Sequence, residues 1–553
     1  MNNSVAAALL LGLLLAACGG TGGTGGTGGS VAPEAGTAPR DAESAPPDTG
    51  PPIPDGGPSP SEVGSGRADA SSDAVSAFDH GVTQDAAPLP PDAFVGTIDT
   101  CAVEGCPSVD RRARPCTAAA DCSAGQGCPA AGACGLCALD TDCRPNERCS
   151  VGLCLPPTPP LWRLHVLPVD LQTIVADPYT EIFVPCTLDV DDTTYAQGCR
   201  VRLKGGTSRD FPKKSFRIDF DGGVPHPGRD RKINLRAEYN DPSFLRNFLT
   251  AESMRRLSVV PTPAVQFVRL YMNDEYYGLM TEVENIDSTF LETQGLSGDG
   301  PTYESDPTLP LTQAGAGGLV PLPDPALYPQ AYAQKAGPNG DFGPLMDLIE
   351  RVLWRDWLDE MAGRAPAARV RATVDVGEYL DYLAVLGLVQ EQDHVRKNFY
   401  LTRQPTAEGP DLWMVVPWDL DMSFGCLWDE AAQNTICDST VVDQAFDRGT
   451  LLAGEAAGYP EQYYYNQLIQ QVLADGRLRS AFTTRLCADL ASPYWQVDLP
   501  SLVDTLGTYL RPSVEADLAD LNVNPGDFDA ALVELRRFIA ERTDDLRSAV
   551  PCP

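Results

Sequence analysis

Asp393 and Asn398 stand five residues apart, just before the apolar run Phe399-Tyr400-Leu401. After a turn rich in Gln, Pro and Gly, a second apolar run from Trp413 ends in Pro417-Trp418-Asp419-Leu420-Asp421. Phosphoryl transfer uses such a set: one carboxylate near the attacking hydroxyl, and an Asn with a second carboxylate to hold divalent metal against nucleotide phosphates. Two short strands joined by a turn would bring these residues to one edge of a cleft. The spacing alone is not specific, because Asp-Leu-Asp also ends strands in hydrated turns. Its weight comes from the elements around it.

Those elements fall in two groups. From Pro159 to about Glu284 the pattern predicts strands over Trp162–Val166, Glu181–Val190, Gly198–Leu203, Lys214–Phe220, Val265–Met272 and Tyr276–Glu282, the last two flanking the hairpin turn Asn273-Asp274-Glu275. One helix interrupts them over Pro242–Leu257, with Phe244, Leu245, Phe248, Leu249 and Met254 at helical spacing and Asp241 as its N-cap. A Gly/Pro-rich passage to about Gly343 reads as an insertion or lid. Beyond it, three-and-four apolar spacing predicts helices over Leu345–Met361, Val376–Gln390, Tyr463–Leu490, Leu499–Leu521 and Phe528–Val550. The expected class is α+β, a β-rich lobe followed by a helical lobe in the order of a protein kinase, over residues 159–553.

The N-terminal part has a different composition. Residues 1–18 carry an Ala/Leu/Gly run too short to span a bilayer, ending Leu15-Ala16-Ala17-Cys18. This resembles a bacterial lipobox, with Cys18 as the lipidated residue and membrane attachment through that lipid; an ordinary signal peptide is the alternative. Gly19 after that Cys suggests, by resemblance, the outer membrane or cell surface. Residues 19–99 hold Gly-Thr repeats and Pro, Ala, Ser and Asp with few bulky apolar residues, so a disordered linker is expected.

Ten of the 17 cysteines lie between Cys101 and Cys154. Cys116, Cys122, Cys128 and Cys134 are echoed by Cys137, Cys143, Cys149 and Cys154, which makes residues 100–157 a module of tandem repeats. The exported context favours disulfides, and the absence of His here and of paired two-residue gaps argues against zinc. Cys186 with Cys199 and Cys487 with Cys552 are further candidate pairs. The pattern resembles the short cysteine-rich repeats of secreted surface proteins, for which binding a surface ligand or spacing is the usual role.

The large domain resembles the spore-coat protein H kinases, the CotH kinase family. Four blocks carry the likeness in family order: Leu203 to Arg217, with Lys204-Gly205-Gly206 and Lys213-Lys214; Asn240 to Asn247; Tyr271 to Glu282; and the site-bearing block ending Trp418-Asp419-Leu420-Asp421. The resemblance implies an atypical protein-kinase-like two-lobed fold and transfer of phosphate from ATP, with Mg²⁺ or Mn²⁺, to Ser or Thr of a protein substrate. Matching gives Asp393 as the catalytic base, and Asn398, Asp419 and Asp421 as metal ligands. Gly205, Gly206 and Ser208 would approach the nucleotide phosphates. Lys214 would be their cation, with Lys204 and Arg209 as rivals. Arg246 is expected to anchor its helix, Trp418 to pack beneath Asp419, and Glu252 to be a free surface residue rather than a partner of that Lys. Glu391-Gln392 stands where an ordinary kinase has His-Arg before the catalytic Asp.

A formal net charge of −35 leaves no basic surface to release counterions from nucleic acid, which is excluded as a partner. The four His include no metalloprotease pair, and no Ser-nucleophile elbow is present. Two readings remain: a metal- and ATP-dependent kinase, or an exported binding protein that uses a kinase-like scaffold and cysteine-rich repeats.

Overall fold

A computed structural model describes residues 108–109 and, from 116 to 552, all but short stretches, the longest being 221–231, 306–316 and 438–465. The expected leader with Cys18, the expected linker to residue 99, and Cys101 and Cys106 lie outside the described residues. Every described residue belongs to one compact unit, which includes Phe94–Pro553.

The cysteine repeat is a disulfide repeat. Cys116 pairs with Cys128 and Cys122 with Cys134; Cys137 with Cys149 and Cys143 with Cys154 repeat the same crossed pattern. Cysteines 116, 122 and 134, like 137, 143 and 154, lie close enough to hold a metal ion, but all of them are consumed in these bonds. The second repeat ends in a small hairpin, β1 (Arg148–Ser150) and β2 (Leu153–Leu155). This hairpin is built into the body of the protein. Leu153 is buried in the main hydrophobic core, Arg256 donates to the Val151 carbonyl at 2.6 Å, and the Val109 amide donates to Asp375 at 2.9 Å.

The β-rich part closes into a barrel. Its strands are β3 (Leu161–His165), β4 (Val184–Val190), β5 (Thr193–Lys204), β6 (Ser215–Phe220), β7 (Lys232–Arg236), β8 (Val265–Met272) and β9 (Glu275–Glu284), in the order β3-β4-β5-β6-β7-β9-β8. All pairs are antiparallel except β3 with β8, which runs parallel and closes the ring. Inward residues such as Trp162, Leu188, Val201, Phe216, Ile233 and Leu270 fill a core of the barrel's own. Asn273 and Asp274, both at positive φ, make the predicted turn between β8 and β9. Cys186–Cys199 clamps β4 to β5.

The strand β7 and the helix α1 (Pro168–Ala176) are additions to the expected elements. The next helix, α2, runs Arg246–Leu257, four residues shorter than expected. The Asp241 carboxylate accepts from the Ser243 and Arg246 amides and pairs with the Arg246 guanidinium, holding residues 241–245 in a turn with Phe244 at φ 58°. Arg246 thus anchors the helix, as expected. Glu252, by contrast, is fully buried and paired with Arg255 and Arg256, not a free surface residue.

The described part of the passage after Glu284 is built into a sheet. It supplies β10 (Thr302–Ser305) and β11 (Tyr332–Ala336), which join β12 (Phe399–Gln404) and β13 (Leu412–Pro417) in an antiparallel sheet ordered β11-β10-β12-β13. Helix α3 (Val376–Val389) packs on this sheet and is buried on nearly every side. The expected helix over 463–490 divides into α4 (Gln467–Ala474) and α5 (Gly476–Ala491), because Asp475 takes an extended conformation and caps α5 with its carboxylate. In α6 (Leu499–Leu521), Leu499, Leu502, Val503, Leu506, Leu510 and Val514 form one buried stripe; α7 (Gly526–Ala549) follows. A side chain at Gly507 would collide with Leu532, so these two helices cross closely. Cys487–Cys552 ties α5 to the chain end. Barrel and helices are locked by Lys213, whose buried ammonium donates to Asp517 of α6 at 2.5 Å and to the Leu279 carbonyl at 2.6 Å. Among the described residues, no helix is long and apolar enough to cross a membrane.

Because the disulfide hairpin shares the main core, Leu153→Ala should cost about 2–5 kcal/mol, the usual range for emptying a buried Leu site. Urea unfolding of the oxidised protein checks this. A loss in one cooperative transition is expected; an unchanged midpoint would mean that the module does not support the body.

Candidate functional site

The site lies where the end of α3, the start of β12, the end of β13 and the barrel strand β7 converge. Helix α3 stops because Gln390 turns left-handed, with φ 54°. Glu391 then carries the chain into the loop bearing Asp393. Register does the rest: Phe399 pairs with Pro417, so the residues just outside that pair, Asn398 and Trp418, face each other, and the Trp418 amide donates to the Asn398 carbonyl at 2.9 Å. Asn398 and Asp419 have φ of 65° and 61°. Asn and Asp tolerate this conformation better than other side chains, but it remains uncommon and clusters at working sites.

Two of the expected residues, Asp393 and Asn398, are directly linked. The Asn398 amide group donates to Asp393 Oδ2 at 2.9 Å, and Lys397 Nζ lies 2.7 Å from the same oxygen. The Asp393 amide donates to Glu391 Oε2 at 2.8 Å. Asp419 and Asp421 are joined by Arg236 of β7, whose guanidinium pairs with Asp419 Oδ1 and donates to Asp421 Oδ2 at 3.0 Å. Side-chain exposures of 29, 30 and 25 % at Asp393, Asp419 and Asp421 leave all three open to a ligand.

Crowding of carboxylates sets the electrostatics. Burial, then the Asp419 charge, pushes Asp421 up to about 8. Burial also raises Asp393, against the pull of Lys397. Glu391, fully enclosed and close to Asp393, is raised well above the usual range. Asp419 alone goes down: burial opposes this, but Arg236, Lys397 and Lys204 outweigh it. His394, buried beside Tyr382 with a 2.8 Å contact from Nδ1 to the phenol oxygen, is lowered by burial to about 4 and stays neutral at physiological pH.

The donor set consists of carboxylate and amide oxygens, the hard ligands that Mg²⁺ and Mn²⁺ prefer. Burial and the Asp419 charge both push Asp421 up, and a divalent cation would relieve the second of these. The residue types present therefore suit such an ion.

The remaining expected residues lie on the barrel side. Lys204 ends β5 with Nζ 4.8 Å from the centre of the Trp418 ring, and burial lowers it to about 8. Trp418 is buried, edge-on to Tyr400. Gly205, at φ 119°, opens the tight turn after Lys204, where a side chain would strike Ser208 Oγ; Gly206 and Ser208 shape the same turn. Lys214 Nζ donates to the Arg209 carbonyl at 2.5 Å, and the Arg209 guanidinium binds Glu181 and the Pro178 carbonyl. Of the three candidate cations, Lys204 is the one whose charge acts on Asp419. Sequence reasoning missed Arg236, Lys397 and Glu391; the first had no local signal beyond a charged residue beside the Asn240-Asp241 block.

Comparison with known proteins follows the same blocks. Inner spore coat protein H of Bacillus subtilis (strain 168) is 27% identical to the chain over 270 residues, which covers 48% of this chain and 69% of that protein. Residues 201–546, which contain every site residue named above, match the family described as CotH kinase protein, and the chain belongs to that family.

Proposed function

We propose that the protein is an exported, metal- and ATP-dependent protein kinase that transfers the γ-phosphoryl group to Ser or Thr of a protein substrate. The observation that carries this reading is the joining of Asp393, Asn398 and Asp419 at one sheet edge by the Asn398–Asp393 and Trp418–Asn398 hydrogen bonds. A barrel carrying helices α1 and α2, followed by a sheet and helices, supports the two-lobed kinase-like arrangement. Seven disulfides among the described residues fit an exported or surface protein. Attachment through a lipid on Cys18 is part of the proposal.

In this scheme Asp393 accepts the proton of the attacking hydroxyl, and Lys397 and Asn398 fix the orientation of its carboxylate. Asn398, Asp419 and Asp421 hold the divalent ion, which when bound neutralises phosphate charge. Lys204 supplies the fixed cation, and the Gly205–Ser208 turn offers backbone amides to phosphate oxygens. The new P–O bond forms to the Ser or Thr oxygen as the bond to the bridging oxygen breaks, with ADP leaving.

The test uses the full oxidised chain, since a fragment starting at Pro159 would strip Leu153 from the core. With γ-labelled ATP, Mg²⁺ or Mn²⁺ and a Ser-rich acceptor, label should be transferred. Asp393→Asn should slow transfer by about 10²–10⁴-fold, and Asp419→Ala should abolish it. No transfer with either metal, together with no nucleotide-induced rise in melting temperature, would overturn the reading in favour of a binding protein.

A metal ligand forced to share its site costs stability. The folded state holds Asp421 at about 8 against an ordinary 3.8, so it binds the proton more tightly than the unfolded chain does. The penalty is therefore absent below about pH 4 and complete above about pH 8. Asp421→Asn should raise the metal-free melting temperature at pH 8 and leave it nearly unchanged at pH 4. Equal shifts at both pH values would contradict this.

A further inference from the structure

Arg236 is a residue of the site to which the scheme above gives no role. It closes β7 on the barrel and reaches the loop after β13, so it belongs to one part of the protein and its partners to another. Its planar fork gives one arm to Asp419 Oδ1 and the other to Asp421 Oδ2, with Nε 3.7 Å from Glu238. A guanidinium suits this geometry better than an ammonium because its donors are fixed in one plane. The two carboxylates it holds are those the scheme above assigns to a divalent cation, and two carboxylates two residues apart would otherwise repel each other. Glu238 is itself buried and receives a hydrogen bond from Asn247 at 3.1 Å, so Arg236 is embraced by acids from both sides.

We propose that Arg236 is a built-in stand-in for the divalent cation: it orders Asp419 and Asp421 while the metal is absent and competes with the metal for their oxygens. It is a positioning residue, acting on the metal through the two Asp side chains. Three consequences follow from charge. Arg236 sets the affinity of the site for divalent ions below what the carboxylates alone would give. It protects the metal-free protein from the repulsion of its own ligands. Once displaced, the guanidinium remains at the barrel wall as a cation available to an anionic group brought in with the metal, which couples the barrel to occupancy of the site. The inference rests on the proposed metal site but not on phosphoryl transfer.

The experiment is a titration of the full oxidised protein with Mn²⁺ alone, following free Mn²⁺ by electron paramagnetic resonance, with melting temperature measured in parallel. Arg236→Gln removes the competing charge at a distance where charge–charge effects are large. It should bind Mn²⁺ at least about tenfold tighter than wild type, melt lower without metal, and recover most of that loss when Mn²⁺ is added. Arg236→Lys keeps the charge but not the fork, and should fall between the two. Asp419→Ala should remove the tight site in every background. If Arg236→Gln does not fold, tighter binding in Arg236→Lys still supports the proposal, and equal or weaker binding there overturns it. Unchanged or weaker Mn²⁺ affinity in Arg236→Gln would show Arg236 to be structural only. A normal Mn²⁺ response without phosphoryl transfer would sink the kinase reading and leave this inference standing. No Mn²⁺ binding by any of the proteins would sink the metal site and the inference together.

Discussion

Carboxylates gathered at one point must be balanced by cations, and in this protein two of the three cations come from other elements than the acids. Asp393, Asp419, Asp421 and Glu391 belong to two loops at the edge of one sheet. Lys397 is local, but Arg236 and Lys204 are lent by the barrel. Charges of one sign at this spacing oppose each other strongly where water is partly excluded. The barrel therefore has to hold its position against the sheet for the acids to stay together.

The packing around the site serves that requirement. Lys213 and Asp517 form a buried ion pair from barrel to α6, and the Leu279 amide donates to the same carboxylate at 3.0 Å. Gly278 is part of this lock, since any side chain there would strike Asp517. On the opposite flank, Arg256 of α2 and Asp375 at the start of α3 hold the disulfide-rich segment. Asp375 also caps α3, the helix whose far end leads into Asp393. Removing one partner from a buried pair leaves an uncompensated charge, so such locks are rigid even where they contribute little net stability.

Much of this was legible in the sequence, for identifiable reasons. Long amphipathic helices such as Leu499–Leu521 show their period over many turns, and the Asn273-Asp274 turn announces the β8–β9 hairpin. The tandem cysteine units and the Cys186–Cys199 and Cys487–Cys552 pairs are readable from spacing, whereas the crossed connectivity inside the units is not, because eight cysteines admit many pairings. What escaped notice was short or held by distant contacts. Strand β7, Lys-Ile-Asn-Leu-Arg, is too brief and charged to stand out, yet it completes the barrel and delivers Arg236. Strands β10 and β11 were hidden in Gly/Pro-rich sequence because each is only four or five residues long. Glu252 looked like a surface residue since nothing local says that Arg255 and Arg256 will be buried against it. Family likeness pointed to Asp393, Asn398 and Asp419; that Lys204, of the three candidate cations, lies against Trp418 and acts on Asp419 is visible only in three dimensions.

The most direct measurement is a crystal structure of the full chain grown with Mn²⁺ and a non-hydrolysable ATP analogue, with anomalous data recorded at the manganese edge. The account predicts a peak within bonding distance of Asp419 and of Asn398 or Asp421, with the analogue's γ-phosphate toward Asp393 and the Arg236 guanidinium moved off at least one carboxylate. A structure without anomalous density there, with Arg236 still spanning Asp419 and Asp421 and no nucleotide in the cleft, would contradict it.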